Sequence, residues 1–374
     1  MTATTTTYLQ KFQPLLSMPR ETVPQLTAEE TRKSLRWAAE SLQLECIEIS
    51  ELVPTFLLLP AAAPDALLFA TWHAEAVPVE PAAVEGAERL ALSATLAGMA
   101  RAGGAKVGLV VTPGATQGSL VLGQALREHR TRLRTKAVLW PRIIAQAPRR
   151  RRVFLGARGR VVLGIWDASA NPYRLRDRLV EELKKEAYGP RPLDFELLHK
   201  LGDNRGALDF LEEAMDGEQV PPGQGEEALR RALFEPRGQV VAPQVRHPDR
   251  PQAWVILDVT ENADPDEILV RARGYAEGAR IEMADGFPWD RIGIHHPAIQ
   301  AQIKLSKEVS EGPEIWPSAP WLSPSGVFSR ALGVPLAEWG LPIHPGIAVR
   351  FPKPEDLEGL ATEVDGLLRA VAEE

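Results

Sequence analysis

The chain has a single cysteine, Cys46, in 374 residues. One thiol allows no internal disulfide and no cysteine-ligated zinc or iron–sulfur site, and it favours a reducing compartment. Long apolar runs are also missing. The most apolar stretch, 52–72, is cut by Pro54, Pro60, Pro64 and Asp65 into pieces of strand length, so it reads as core and not as a membrane span. The first seven residues are threonine-rich and have neither a charged start nor an apolar centre. They do not read as a secretion signal, and a cytoplasmic location is expected. Basic charge is not in excess: Lys and Arg number 43 against 50 Asp and Glu, a net charge of -7, which argues against a polybasic nucleic-acid binder. No repeat with a period of about 20–50 residues is found.

What is present is ordinary globular composition, with 44% hydrophobic and 25% charged residues. The length suggests about two to three domains. The 32 prolines point to stiff loops.

Thr27 and Glu30 form a capping box, and Leu35, Ala38, Ala39 and Leu42 recur at helical spacing, which predicts a helix over 28–43. Strands are predicted at 46–49, 55–59, 66–70, 106–111 and 137–140, with helices over 87–101 and 120–129 between them. That alternation implies a largely parallel sheet covered on both faces. Beyond the basic run 149–152 the texture changes. Strands at 153–155 and 160–166, a helix over 172–185, a polar glycine-containing stretch near 203–225, a strand at 253–259 and a helix over 264–275 read as an inserted α+β unit. Apolar runs resume near Pro288 and end in an amphipathic helix, 355–372, burying Leu357, Leu360, Val364, Leu367 and Val371.

His73 and Glu75 follow an apolar strand and project from one face at its carboxyl end, where open α/β sheets hold ligands. That arrangement suits a metal ligand with a carboxylate to orient it; taken alone, the pair reads more readily as a surface histidine beside a solvated glutamate. His295 and His296 are adjacent on an extended chain and point to opposite faces, so they do not chelate one ion. His344, His129, His199 and His247 read as loop or surface residues. The run 149–152 has no interleaved aromatics and reads as a solvated connection, not an RNA site. Gly223 and Gly225 imitate a dinucleotide fingerprint, but Pro221-Pro222 precedes them where a strand is required. No nucleophile elbow, phosphate-binding Walker loop or paired-histidine zinc helix occurs.

In order, these segments resemble the co-catalytic dizinc exopeptidase family that includes carnosinase, aminoacylase, succinyl-diaminopimelate desuccinylase and related carboxypeptidases. Leu67 through His73, Glu75 and Pro78 is similar to that family's apolar strand followed by His-x-Asp-x-x-Pro. Thr112 to Ser119 falls where the family has Glu-Glu-x-Gly-Ser. Gly156-Ala157-Arg158-Gly159 resembles the Gly-x-Arg-Gly that opens its lid, and Asn171-Pro172 resembles its Asn-Pro. Leu257 to Glu267 resembles the lid's last strand and helix, and Leu332 to Gly340 the closing segment. The resemblance spans nearly the whole chain. It implies an α/β fold: a three-layer domain with a mainly parallel sheet, built from 1–156 and 284–374, and an inserted α+β, ferredoxin-like lid over 157–283. It also implies a homodimer formed through the lid.

The resemblance further implies two zinc ions held by about five protein ligands, with a separate glutamate taking a proton from the bridging water. Few of those groups survive. His73 matches the first ligand, Glu75 stands for the orienting aspartate, and Glu88 lies near the bridging aspartate. Ala115 and Thr116 replace the paired glutamates, Trp140 the acidic ligand before a proline, and Arg350 the last histidine. The lid histidine has become Asp167 or Ala168, and the lid arginine Thr260. Losing one general base costs about 10²- to 10⁴-fold in rate, and losing most ligands loses the metal. The expectation is a retained scaffold with a dismantled centre: a non-catalytic homologue without a cofactor, binding a peptide or amino-acid derivative, with no nucleic-acid or membrane partner. The rival expectation is a working hydrolase of dipeptides or N-acyl amino acids, in which His73, Glu75 and Glu88 hold one zinc ion and His295, His296 or His344 helps rebuild the site.

Overall fold

The computed structural model describes residues 28–374 except 50–54, 73–81, 104–105, 114–119, 143–149, 168–169, 188–189, 215–218, 243–249, 262, 277 and 341–353. Two sheets organise it. The larger has six strands: β1 (Glu45–Glu48), β2 (Phe56–Leu59), β3 (Ala66–Trp72), β4 (Val107–Pro113), β5 (Ala137–Pro141) and β14 (Leu336–Trp339). Their order is β1-β2-β4-β3-β5-β14, parallel from β4 to β14, with β1 and β2 antiparallel at one edge.

The strand sequences explain why this sheet has helices on both faces. Alternate residues of a strand point to opposite sides, and here both sides are apolar. Ala66, Leu68 and Ala70 of β3, with Leu109 and Val111 of β4, enter one core cluster, while Leu67, Phe69 and Val110 enter another. The first cluster is closed by α1 (Ala28–Leu42), α2 (Ala82–Arg101), α9 (Pro297–Val309) and α11 (Pro354–Glu373), the second by α3 (Leu120–Glu128) and α10 (Ser325–Leu332). These are the three layers expected. α2 and α11 approach closely because Gly98 has no side chain: a Cβ there would lie 2.5 Å from Cβ of Val364.

The second sheet carries β8 (Gly159–Ile165), β9 (Arg237–Val241), β10 (Ala253–Val259) and β11 (Ile281–Phe287) in the order β11-β8-β10-β9, antiparallel throughout. With α4 (Pro172–Glu186) and α8 (Pro265–Tyr275) packed on one face, its chain order is β-α-β-β-α-β, a ferredoxin-like arrangement. The strand 257–259, likened above to the last of the lid, is followed by β11, and residue 284 lies inside that strand. β11 was hidden in the sequence by Glu282, Asp285 and Gly286, and by a bulge between Met283 and Asp285 that breaks its alternation.

A second correction concerns 192–234. The stretch near 203–225, read as polar and glycine-containing, lies among α5 (Pro192–Gly202), α6 (Arg205–Ala214) and α7 (Gly225–Phe234). Asn204 starts α6, its side chain accepting from the backbone of Gly206 at 3.0 Å and Ala207 at 3.3 Å. Ala207, Phe210 and Leu211 bury against α7 and against Trp316 and Trp321. These helices therefore pack beside β6 (Arg151–Phe154) and its parallel partner β13 (Pro313–Trp316).

Between the sheets, β7 (Gly156–Ala157) pairs with β12 (Asp290–Arg291). The Gly-x-Arg-Gly segment has a structural basis here. A Cβ on Gly156 would meet the Asp290 carbonyl at 2.9 Å, and one on Gly159 would collide with the Pro288–Trp289 backbone. Arg158 is fully buried and donates to the carbonyls of Ala232 and Glu235 at 2.5 Å each, holding the end of α7 to the crossover. Burial lowers its guanidinium pKa to about 10.

Candidate functional site

Strands β3, β4, β5 and β14 run in one direction and so present one carboxyl-end rim, the place where α/β sheets bind ligands. β3 ends one residue before His73, β4 two before Ala115, and β14 stops eleven short of Arg350. His73, Glu75, Ala115, Thr116, His344 and Arg350 lie outside the described residues, and so does the side chain of Glu88 on α2. Of the positions likened to the family's metal ligands, Trp140 alone has a described side chain. It is 3% exposed, and its ring packs edge-on against Phe69 at 5.0 Å, which packs in turn on Phe328 at 5.2 Å. The residue is core on the α3/α10 face.

Beside it stands a group that the sequence reading missed. The Arg142 guanidinium lies 3.9 Å over the Trp140 ring and donates from Nη1 to Glu338 Oε2 at 3.1 Å. The same oxygen accepts the Trp321 indole N–H at 3.0 Å. Glu338 Oε1 is buried without a partner. The available signal was a charge at each strand end, Arg142 after Pro141 and Glu338 between Ala337 and Trp339.

Two more arginine–glutamate–tryptophan units lie close by in the chain. Arg151 pairs with Glu363, which accepts the Trp339 indole N–H at 2.7 Å. Arg152 donates to Glu314 at 2.9 Å, which accepts the Trp316 indole N–H at 2.9 Å, and its guanidinium lies 4.0 Å over Phe210. The basic run read as a solvated connection is therefore paired at both arginines, Arg151 buried and Arg152 half-buried. Isolated buried cations are too costly to persist, so each arginine has its own carboxylate.

Among the described residues no group of three or more His, Cys, Asp or Glu side chains is placed to hold a metal ion. Glu338, a described carboxylate of the rim, is committed to a guanidinium, and a divalent cation beside it would face the like charge of Arg142. The described donors do not fit a two-metal centre. His295 and His296 do not combine into a site either: His296 caps α9, its Nδ1 accepting from the Ala298 N–H at 3.2 Å, and burial lowers its pKa, favouring the neutral acceptor.

A cleft of about 360 Å³ opens at the junction of the sheets, lined by Arg191, Trp289, Asp290, Arg291 and Gly293. Its walls are fixed by two carboxylates. Asp194, fully buried at the start of α5, accepts the Arg191 backbone N–H at 2.8 Å and both Arg291 Nη groups at 2.8 and 2.5 Å. Asp290 accepts the hydroxyls of Ser325 at 2.5 Å and Ser329 at 2.7 Å, tying β12 to α10. Burial raises the Asp290 pKa. The Arg191 guanidinium pairs with Glu261, and the Trp289 indole N–H is buried without a partner.

Neither a protein-family model nor a curated protein matches the sequence. Solved structures do. An M20 family metallo-carboxypeptidase from Sulfolobus solfataricus superposes with a TM-score of 0.73 at 14% identity, over 98% of this chain and 99% of that one. Human carnosine dipeptidase 1 gives 0.68 at 8% identity, over 99% and 97%. The di-peptidase Dug1p from Saccharomyces cerevisiae gives 0.61 at 12% identity, over 100% of both chains. At such identities the likeness concerns architecture, and it covers both sheets. This chain has the fold of the M20 metallopeptidases.

Proposed function

We propose that the protein is a non-catalytic relative of the M20 metallopeptidases, one that keeps the scaffold and binds a small ligand, a peptide or amino-acid derivative, between its two sheets. The observation that supports this most is the pairing of Glu338 with Arg142 and Trp321: a fixed guanidinium stands beside the described carboxylate of the rim. Substitution at Ala115, Thr116, Trp140 and Arg350 points the same way, because none of these side chains is a neutral-pH anion or an imidazole. Binding without hydrolysis then falls to the cleft at the junction, since ligand sites favour concave surfaces between units.

Metal analysis of protein expressed with zinc supplied is the test. The reading expects no retained stoichiometric metal, no hydrolysis of dipeptides or N-acyl amino acids, and no zinc-dependent shift in melting temperature for the parent or for His73→Ala. One or two tightly held equivalents together with hydrolysis would overturn it in favour of an active enzyme using His73, Glu75 and Glu88. The reading places the protein in the cytoplasm, consistent with the lack, among the described residues, of any helix long and apolar enough to cross a membrane. It also makes the protein a homodimer through the second sheet, whose edge strand β9 has a neighbour on one side among the described residues. Light scattering checks the mass.

A further inference from the structure

We propose that the end of α3 and its connection to β5 form a docking surface for a short acidic segment of a partner protein. Residues 127–136 carry five Lys and Arg side chains, together with His129, against one acid, Glu128, in a chain whose net charge is -7. Arg127, Arg130, Arg134 and Lys136 are exposed, and their side chains meet no carboxylate among the described residues. Exposure alone does not leave an arginine unpaired in this molecule. Arg205, Arg280 and Arg369 are 65%, 60% and 67% exposed, yet they lie 2.7, 2.8 and 2.8 Å from Asp209, Glu282 and Asp365.

The basic connection is held in place. The backbone N–H of Arg130 donates to the Arg127 carbonyl, and those of Arg132 and Leu133 to the His129 carbonyl, which folds the segment into consecutive tight turns. Leu133, its one apolar residue, is buried in the core; Arg132 donates to Glu45 of β1 at 2.7 Å; and the Thr135 hydroxyl donates to the Asp65 carbonyl at 2.9 Å. Strand register then widens the patch. Asp65, Lys106 and Lys136 each stand one residue before β3, β4 and β5, whose first residues pair, so the two lysines flank Asp65 at the amino-terminal end of the sheet. Lys106 answers that aspartate at 3.5 Å. Groups fixed before binding lose little freedom when a partner arrives. This end of the strands is opposite the candidate rim.

The patch also selects among anions. Guanidinium groups take carboxylates in bidentate pairs. No exposed side chain in 127–136 is apolar, and none is Phe, Trp or Tyr, so the surface offers neither a ring to stack on a base nor a wedge for a bilayer. A bilayer or a nucleic acid extends beyond the patch and faces the acidic remainder of the chain as well. A short acidic segment meets the cations alone, within a Debye length of about 8 Å.

The test is fluorescence anisotropy of labelled octaglutamate with the full-length protein, alongside oligouridylate and co-sedimentation with phosphatidylserine vesicles. Octaglutamate should bind, less tightly as salt is raised, and more tightly than the RNA or the vesicles. Arg130→Glu with Arg134→Glu should weaken it tenfold or more. Lys185→Glu with Lys200→Glu changes the net charge equally at other exposed positions, and should leave binding within twofold. Failure of the peptide to bind at submillimolar concentration overturns the proposal, as does tighter binding of vesicles or RNA, or a control variant that weakens the peptide as much as the patch variant does. Melting temperature checks folding, and Arg127→Glu with Lys136→Glu replaces the first pair if that variant unfolds.

Discussion

The rim of the large sheet and the junction between the two sheets bury ionisable groups in opposite ways. At the rim each described acid faces a base: Glu338 meets Arg142, and Glu363 meets Arg151. At the junction Asp290, and on the strand β11 that leads to it Asp285, are enclosed chiefly by burial. The Asp285 pKa is raised from 3.8 to about 7 by desolvation, against the backbone N–H of Gly286 and the charge of Arg160, and Asp290 is raised in the same direction. A buried pair of opposite charges is held by mutual attraction, and removing one partner strands the other. A buried carboxyl without a paired cation keeps its proton to a higher pH. The rim thus sets its described acids against cations, while Asp285 and Asp290 are shifted by burial toward their neutral forms.

The sharpest way to break that contrast is Glu338→Ala. It leaves Arg142 and the Trp321 indole without their acceptor, and breaking one side of a buried ion pair costs about 3–5 kcal/mol. Urea denaturation should register the loss. Replacing both partners, Arg142→Met with Glu338→Leu, should be milder than the single change, because no charge is left buried alone; a double variant as unstable as the single would show that packing, and not charge pairing, sets the rim.

The junction has the opposite signature. The folded pKa of Asp285 lies above its unfolded value, so the folded state binds more protons between pH 4 and about 7. Stability from that proton is complete at about pH 4 and falls as pH rises toward 7. The urea midpoint should follow this fall, and Asp285→Asn should flatten it. An unchanged slope in the variant would remove Asp285 from the account.

The smallest effect is expected at Arg330, which bridges to Asp264 of the second unit at 2.6 Å. Both side chains are well exposed, so Arg330→Ala should cost under about 1 kcal/mol and less at high salt. A larger loss would mean that the two units depend on that contact.

Much of the fold was legible because burial on two faces leaves an obvious trace. Leu67, Leu68 and Phe69, or Leu109, Val110 and Val111, are apolar without alternation, as covered strands must be. Helix α11 was readable from five buried residues at helical spacing. What escaped was irregular or half-polar: β11 with its bulge, and α6, whose start depends on the Asn204 side chain. At the candidate site, it could be read directly that Ala115, Thr116 and Trp140 carry no acidic group. That Arg142 would meet Glu338, 196 residues away in the chain, could not.

The sequence alone determined the alternation of strands and helices and the amphipathic ends, because both follow from residue type and local spacing. Tertiary structure alone decided which charge found which partner. A buried arginine is tolerable only opposite a carboxylate, and that carboxylate is supplied by whichever strand or helix the fold brings alongside, as Glu363 on α11 is brought to Arg151.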